Sequence, residues 1–252
     1  MTAGAVRVAI IDSGVHASHP HVNGVAGGVG IDSEGHEHDD YVDRLGHGTA
    51  VAAVIREKAP DAQILAVKVF DRELAATGVA LVAACEWALR EGAHLVNLSL
   101  GTLNTDHEPA LADVVRKLRA AGAIVIAAGP ENGAPAFAAE GRYGEVSPKL
   151  AGIRASGGGR WLPGSLPGVW SVSLDWSIPR EEAHVIFGAD GSVTFQASGF
   201  PRPIPGVPPD KNLKGLSFAV ANATGVLAGL LALESGNESP AERLMRAVGS
   251  RN

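Results

Sequence analysis

The chain has 252 residues, 46% of them hydrophobic and 19% charged, which suits one large α/β domain and excludes general disorder. A net charge of −6, with no basic run longer than two residues, leaves no electrostatic footprint for nucleic acid or an anionic lipid surface, so neither is an expected partner. Cys85 is the only cysteine; it excludes an internal disulfide and reads as a small buried hydrophobe.

The first predicted element is the strand VRVAIID (6–12), reached without a charged n-region, an apolar h-region or a cleavage site. The longest uncharged apolar run, GVLAGLLAL, is too short for a bilayer span, so the reading is of a soluble, cytoplasmic protein with no membrane partner. Helix TAVAAVIREKA (49–59) follows, then strand QILAVKVF (63–70) and helix GVALVAACEWALREG (78–92). Strand HLVNLSL (94–100), helix HEPALADVVRKLRAAG (107–122) and strand AIVIAAG (123–129) continue the alternation. The strands are almost continuously apolar, as strands buried on both faces are, and the alternation with helices implies a doubly wound sheet.

Residues 134–167 break the rhythm with Gly, Ala and Pro and read as an irregular insertion. Strand VWSVSL (169–174) resumes it, and HVIFGADGSVTFQA (184–197) reads as a hairpin turning at Asp-Gly. PRPIPGVPP (201–209) is a stiff loop leading to a long helix after Ser217, and SPAERLMRAVG (239–249) is a last helix. The glycines of GGVG (27–30) and SGGGR (156–160) read as loop residues, since neither motif joins a strand to a helix as a phosphate cradle must. The expectation is a single domain over 1–252 of class α/β, with a mostly parallel central sheet and helices on both faces.

In such a sheet, functional groups gather where strands end. Asp12 closes the first strand, His47 opens a helix between Gly46 and Gly48, and Ser217 opens another. Each has an ordinary reading: Asp12 and Ser217 as capping residues, His47 as a helix-end histidine. Together they supply what a serine nucleophile needs, a base and an acid that holds the base's tautomer.

IIDSGV, GHGTAVA and GLSFAVANATG resemble, in order, the Asp, His and Ser motifs of the subtilisin-like serine proteases, the subtilases. The resemblance covers about residues 6–133 and 168–235. It implies a subtilisin-like fold and a serine endopeptidase in which Asp12 orients His47, His47 takes the Ser217 proton, and Ser217 forms an acyl-enzyme with a peptide or protein substrate. It further implies that Ser99, Leu100 and Gly101 of VNLSLG pair with the substrate backbone, and that Ala127, Ala128 and Gly129 form the opposite wall of the pocket before the scissile bond. Pro130 stands where the family usually has the oxyanion asparagine. Asn132, two residues on, either takes that role or makes an ordinary turn with Gly133. Leu216, Ala221 and Asn222 depart from the family's usual Thr, Pro and His. The first strand begins too early for a family-style propeptide to precede it in this chain.

The proline loop and the insertion flank the expected cleft, which suggests a narrow substrate range such as the processing of one precursor peptide. The rival reading is a catalytically impaired pseudo-peptidase that binds peptides, motivated by Pro130. Six histidines precede residue 48 (His16, His19, His21, His36, His38 and His47), yet no helical i, i+4 pair or calcium-loop spacing appears, so no metal and no cofactor are expected. The oligomeric state is not legible.

Overall fold

The computed structural model describes residues 5–71, 76–102, 104–129, 161–208, 211–234, 236 and 238–249. The SGGGR glycines, Pro130 and Asn132 lie outside the described residues, as does the expected insertion up to residue 160.

Nine strands form one sheet: β1 (Arg7–Asp12), β2 (Gly27–Ile31), β3 (Glu37–His38), β4 (Gln63–Lys68), β5 (Leu95–Leu98), β6 (Ile124–Ala128), β7 (Trp170–Leu174), β8 (Ala183–Phe187) and β9 (Val193–Ala197). Their order is β3-β2-β4-β1-β5-β6-β7-β9-β8, parallel except for the outermost pairs β2–β3 and β8–β9. The hairpin read from Asp-Gly is the β8–β9 pair.

Side chains alternate across a strand, and in β1 both sets are apolar. Val8 and Ile10 join the core under helices α1 (His47–Lys58) and α4 (Leu216–Leu233), while Ala9 and Ile11 join the core under α2 (Gly78–Arg90) and α3 (Glu108–Ala120). Helices therefore cover both faces, as the continuous apolar runs require. The last helix, α5 (Pro240–Gly249), sends Leu244 and Val248 into the α1/α4 core.

Two expectations are corrected. GGVG is not a loop but the body of β2, because its missing side chains make room for a neighbouring layer. A Cβ at Gly28 would come within 2.5 Å of the Tyr41 ring, and one at Gly30 within 2.0 Å of the His38 ring. The second concerns α4, which is an uncharged helix of 18 residues, long and apolar enough by composition to cross a membrane. Here 72% of the helix is buried, packed against α1 and the sheet. Truncating a wholly buried member such as Leu227 to alanine would cost about 2–5 kcal/mol.

The strand order turns at β1. The chain builds β2 and β4 on one side of it and β5, β6 and β7 on the other, so a crevice opens at the carboxyl end of β1, where ligands of such sheets sit. Asp12 is the last residue of that strand.

Candidate active site

Asp12 is wholly buried, and its Oδ1 accepts the Ser13 amide at 2.7 Å. The same oxygen lies 2.7 Å from His47 Nδ1 at the start of α1. A carboxylate only accepts, so Nδ1 carries the proton and Nε2 is left as the basic nitrogen. The approach depends on Gly48: a Cβ there would stand 2.2 Å from the Gly14 carbonyl and 3.2 Å from the Asp12 side chain. Gly46, at φ 82, turns the chain into α1 through the left-handed region open to glycine.

Burial pulls the His47 pKa down, but the charge and hydrogen bond of Asp12, with the charge of Asp43, outweigh it and leave His47 above the ordinary imidazole value.

Asp43 is a residue the sequence reading passed over. It is buried and accepts five hydrogen bonds: Oδ1 takes Ser13 Oγ at 2.9 Å and the amides of Leu45 and Gly46 at 2.9 and 2.8 Å, and Oδ2 takes the amide and hydroxyl of Thr49 at 2.8 and 2.6 Å. Ser13 Oγ in turn accepts the Gly48 amide at 2.9 Å. This carboxylate therefore ties the loop before His47, the first turn of α1 and the residue after Asp12 into one unit. Outside it, the buried Lys68 ammonium reaches Asp40 at 3.3 Å and Asp71 at 2.8 Å. The Arg44 hydrogen bond, together with that of Lys68, overcomes a slight desolvation and holds Asp40 at about 2.

Ser217 does not cap its helix. Gly215 is the N-cap of α4, at φ 135, and Ser217 lies inside the first turn with its Oγ donating to the Ser99 carbonyl at 3.1 Å. Ser99 Oγ donates back to the Ser217 carbonyl at 3.2 Å. Asn97 Nδ2 donates to Ser99 Oγ at 2.9 Å, and Asn97 Oδ1 accepts the hydroxyl of Thr224, about two turns further along α4, at 3.0 Å. Asn97 and Thr224 are wholly buried and were also missed, although an asparagine inside HLVNLSL and a threonine inside an apolar helix are both visible exceptions to their patterns. The Phe218 ring, next to Ser217 in the chain, stands 5.7 Å from the His47 ring and brings the start of α4 beside the imidazole.

At the departure position Asn222, the side-chain amide donates to the carbonyls of Ser198 and Phe200 at 2.7 and 3.0 Å and anchors α4 to the loop after β9. Ser99, Leu100 and Gly101 follow β5, while Ala127 and Ala128 end β6 and Gly129 follows it; the two strands are in register with Leu98 opposite Ala127. The structure thus pairs Asp12 with His47 and Ser217 with Ser99, and among the described residues the Ser217 hydroxyl bonds to Ser99 rather than to His47. Of the other early histidines, His36 gathers with Asp32 and Glu34 on the exposed turn between β2 and β3.

Residues 3–152, more than half of the chain, match the family model described as "Subtilase family". The chain belongs to the subtilase family. The match ends before Ser217, which the fold brings beside Ser99. Among curated relatives, this subtilase is 33% identical over 149 residues to a thermostable alkaline protease of Halalkalibacterium halodurans, covering 56% of the chain and 39% of the relative. It is 33% identical over 137 residues to subtilisin DY of Bacillus licheniformis, covering 51% and 48%. These matches thus span about half or less of the curated relatives' length.

Among solved structures it superposes on a lanthipeptide protease with a TM-score of 0.67 at 19% identity, covering 96% of this chain and 78% of that one. It superposes on the prenylagaramide maturation protease PagA at 0.61 and 23%, covering 94% and 79%, and on the nisin leader peptidase NisP of Lactococcus lactis at 0.67 and 16%, covering 97% and 82%. At these identities the likeness establishes a subtilisin-like α/β fold.

Proposed function

We propose that this subtilase is a serine endopeptidase working through Asp12, His47 and Ser217, with a selective role in trimming precursor peptides. The observation that carries the reading is the 2.7 Å bond between Asp12 and His47 in a crevice that also receives the first turn of α4. With Nδ1–H held by Asp12, His47 Nε2 takes the Ser217 proton as Oγ bonds to the scissile carbonyl carbon. The carbonyl electrons move onto oxygen, and the Ser217 backbone N–H, in a first turn where the helix offers no acceptor, is suited to meet that oxyanion. His47 then hands the proton to the leaving amine as the C–N bond breaks. Water, deprotonated by the same nitrogen, releases the acyl group and restores Ser217. The Asp43 cluster keeps the acid and base in register while this happens.

The precursor-processing part draws support from the titles of the similar structures, which describe a lanthipeptide protease, a maturation protease and a leader peptidase. A peptide-binding pseudo-enzyme is the second reading, favoured by the Ser217 hydroxyl resting on Ser99.

One experiment separates them: the protein and its Ser217→Ala variant are treated with a fluorophosphonate probe and a mixed peptide library, read by mass spectrometry. Labelling at Ser217 with cleavage that the variant loses is the expected result. Peptide binding without labelling or cleavage would establish the second reading.

A further inference from the structure

On the proposed mechanism, the space between two neighbouring strand ends is a slot walled by glycines. β5 runs on into Gly101 and β6 into Gly129. The slot opens beside the nucleophile, since Ser99, two residues before Gly101, holds the Ser217 hydroxyl at 3.1 Å. A substrate backbone laid along Ser99–Gly101, with its scissile carbonyl at Ser217, would direct the side chain just before the cut into this slot.

The slot is not empty at its base. Thr102 and Leu162 exchange backbone hydrogen bonds at 2.8 and 2.9 Å, which brings the turn at 161–164 beneath both walls. At one wall the Trp161 indole lies against Gly101 so closely that a Cβ on the glycine would be 2.2 Å from Nε1 and 2.4 Å from Cε2. At the other, a Cβ on Gly164 would be 1.9 Å from the Ala128 carbonyl oxygen and 3.2 Å from Gly129 Cα. Trp161 is 8% exposed, so the largest side chain in the protein's repertoire is buried against Gly101. Leu162 and Leu166, both buried, root the turn in the α2/α3 core, on the face of the sheet opposite α4.

We infer that Trp161 is a specificity-determining residue that forms the floor of this pocket and restricts cleavage to sites after glycine, alanine or serine. This rests on the endopeptidase reading and names its substrate class: precursor peptides cut after a small residue. Larger side chains are excluded by overlap with the ring, and Gly101 is required because any side chain there would collide with it.

The test is a peptide library with the residue before the scissile bond varied, cut by the wild type, Trp161→Phe and Trp161→Ala, with fluorophosphonate labelling of Ser217 measured alongside. Labelling needs nothing in the pocket, so it reports whether each variant still holds its triad. The wild type is expected to cut after Gly, Ala or Ser, and Trp161→Ala to gain at least about tenfold in kcat/KM after Leu or Phe, with Trp161→Phe between them. Wild-type cleavage after large residues would overturn the inference, as would an unchanged profile in either labelled variant. If Trp161→Ala does not fold, the wild-type profile and Trp161→Phe decide. A wild type that neither labels nor cuts would refute the endopeptidase reading instead, and this inference with it.

Discussion

Ser217 and Ser99, 118 positions apart in the chain, exchange hydrogen bonds in both directions: each hydroxyl donates to the other's carbonyl, at 3.1 and 3.2 Å. The candidate nucleophile therefore rests on a carbonyl that a substrate strand along Ser99–Gly101 would claim with its own amide. On the proposed mechanism, a substrate amide on that carbonyl would free the hydroxyl to turn to His47, linking substrate binding and nucleophile activation through one acceptor.

A substrate methylated on that amide nitrogen cannot displace Ser217. Its kcat/KM should fall by about tenfold, the worth of one hydrogen bond, with most of the loss in kcat. Steady-state kinetics on the paired peptides measures this, and equal kcat values would break the link.

The pH profile follows from His47. Its pKa is raised in the fold and the base must be neutral, so activity should fall as pH drops through a value above the ordinary imidazole range of about 6.5. The stability contribution has the opposite sense: a raised pKa stabilises the fold fully below the ordinary value and loses that contribution as pH rises through the folded one. Asp12→Asn leaves burial to act with the weaker pull of Asp43, so the acid limb should move down while the rate falls by roughly 10⁴. Profiles of kcat/KM from pH 5 to 9 for both proteins test this, and a flat wild-type acid limb would count against His47 as base.

Asp43→Ala should destabilise by about 3–5 kcal/mol, because it strips the acceptor from five donors in a buried setting. Asp43→Asn, which keeps an oxygen but loses the charge, should cost less. The urea midpoint reads both, and an unchanged midpoint in Asp43→Ala would show that the loop before His47 holds itself.

Thr224→Val keeps the shape of the side chain and removes the hydroxyl that Asn97 accepts. About 1–3 kcal/mol of stability should be lost. Activity should fall as well, since Asn97 holds Ser99 and Ser99 holds Ser217. Thr224→Ser should restore both, and a variant that loses stability with kcat intact would confine the network to a structural role.

Lys58 carries a different pH signature. Burial and the Arg180 charge lower its pKa to about 8, so between there and the ordinary lysine value of about 10.4 the unfolded chain holds a proton that the fold has released. Stability should rise with pH across that window. Lys58→Met should abolish the rise and be at least neutral at pH 7, Glu57 keeping its partner Arg180. Urea midpoints at pH 7, 8 and 9.5 decide it.

Much of this fold is written locally. The unbroken apolar runs of β1 and β4 declare strands with two buried faces, and Gly92 and Gly122, at φ 63 and 82, end α2 and α3 where glycine was expected to. β2 escaped because its glycines owe their strand to Tyr41 and His38 packed upon them, which no local window contains. The site divides along the same line. Asp12, His47 and Ser217 sit in short motifs and are legible, whereas Asp43 acquires meaning only from Ser13 and Thr49, and Thr224 only from Asn97, 127 positions away. Serine as a helix cap was the plausible local account of Ser217, and it fails because Gly215 already makes the turn.

The seating of α4 against α1 also orders events during synthesis. Chains fold as they leave the ribosome from the N-terminal end, and Asp12 and His47 belong to its earliest elements, while the nucleophile arrives on a helix translated after every strand of the sheet. A nascent chain holds acid and base with nothing to activate. On the proposed mechanism, the cell therefore meets this protein as a hydrolase only once α4 has docked.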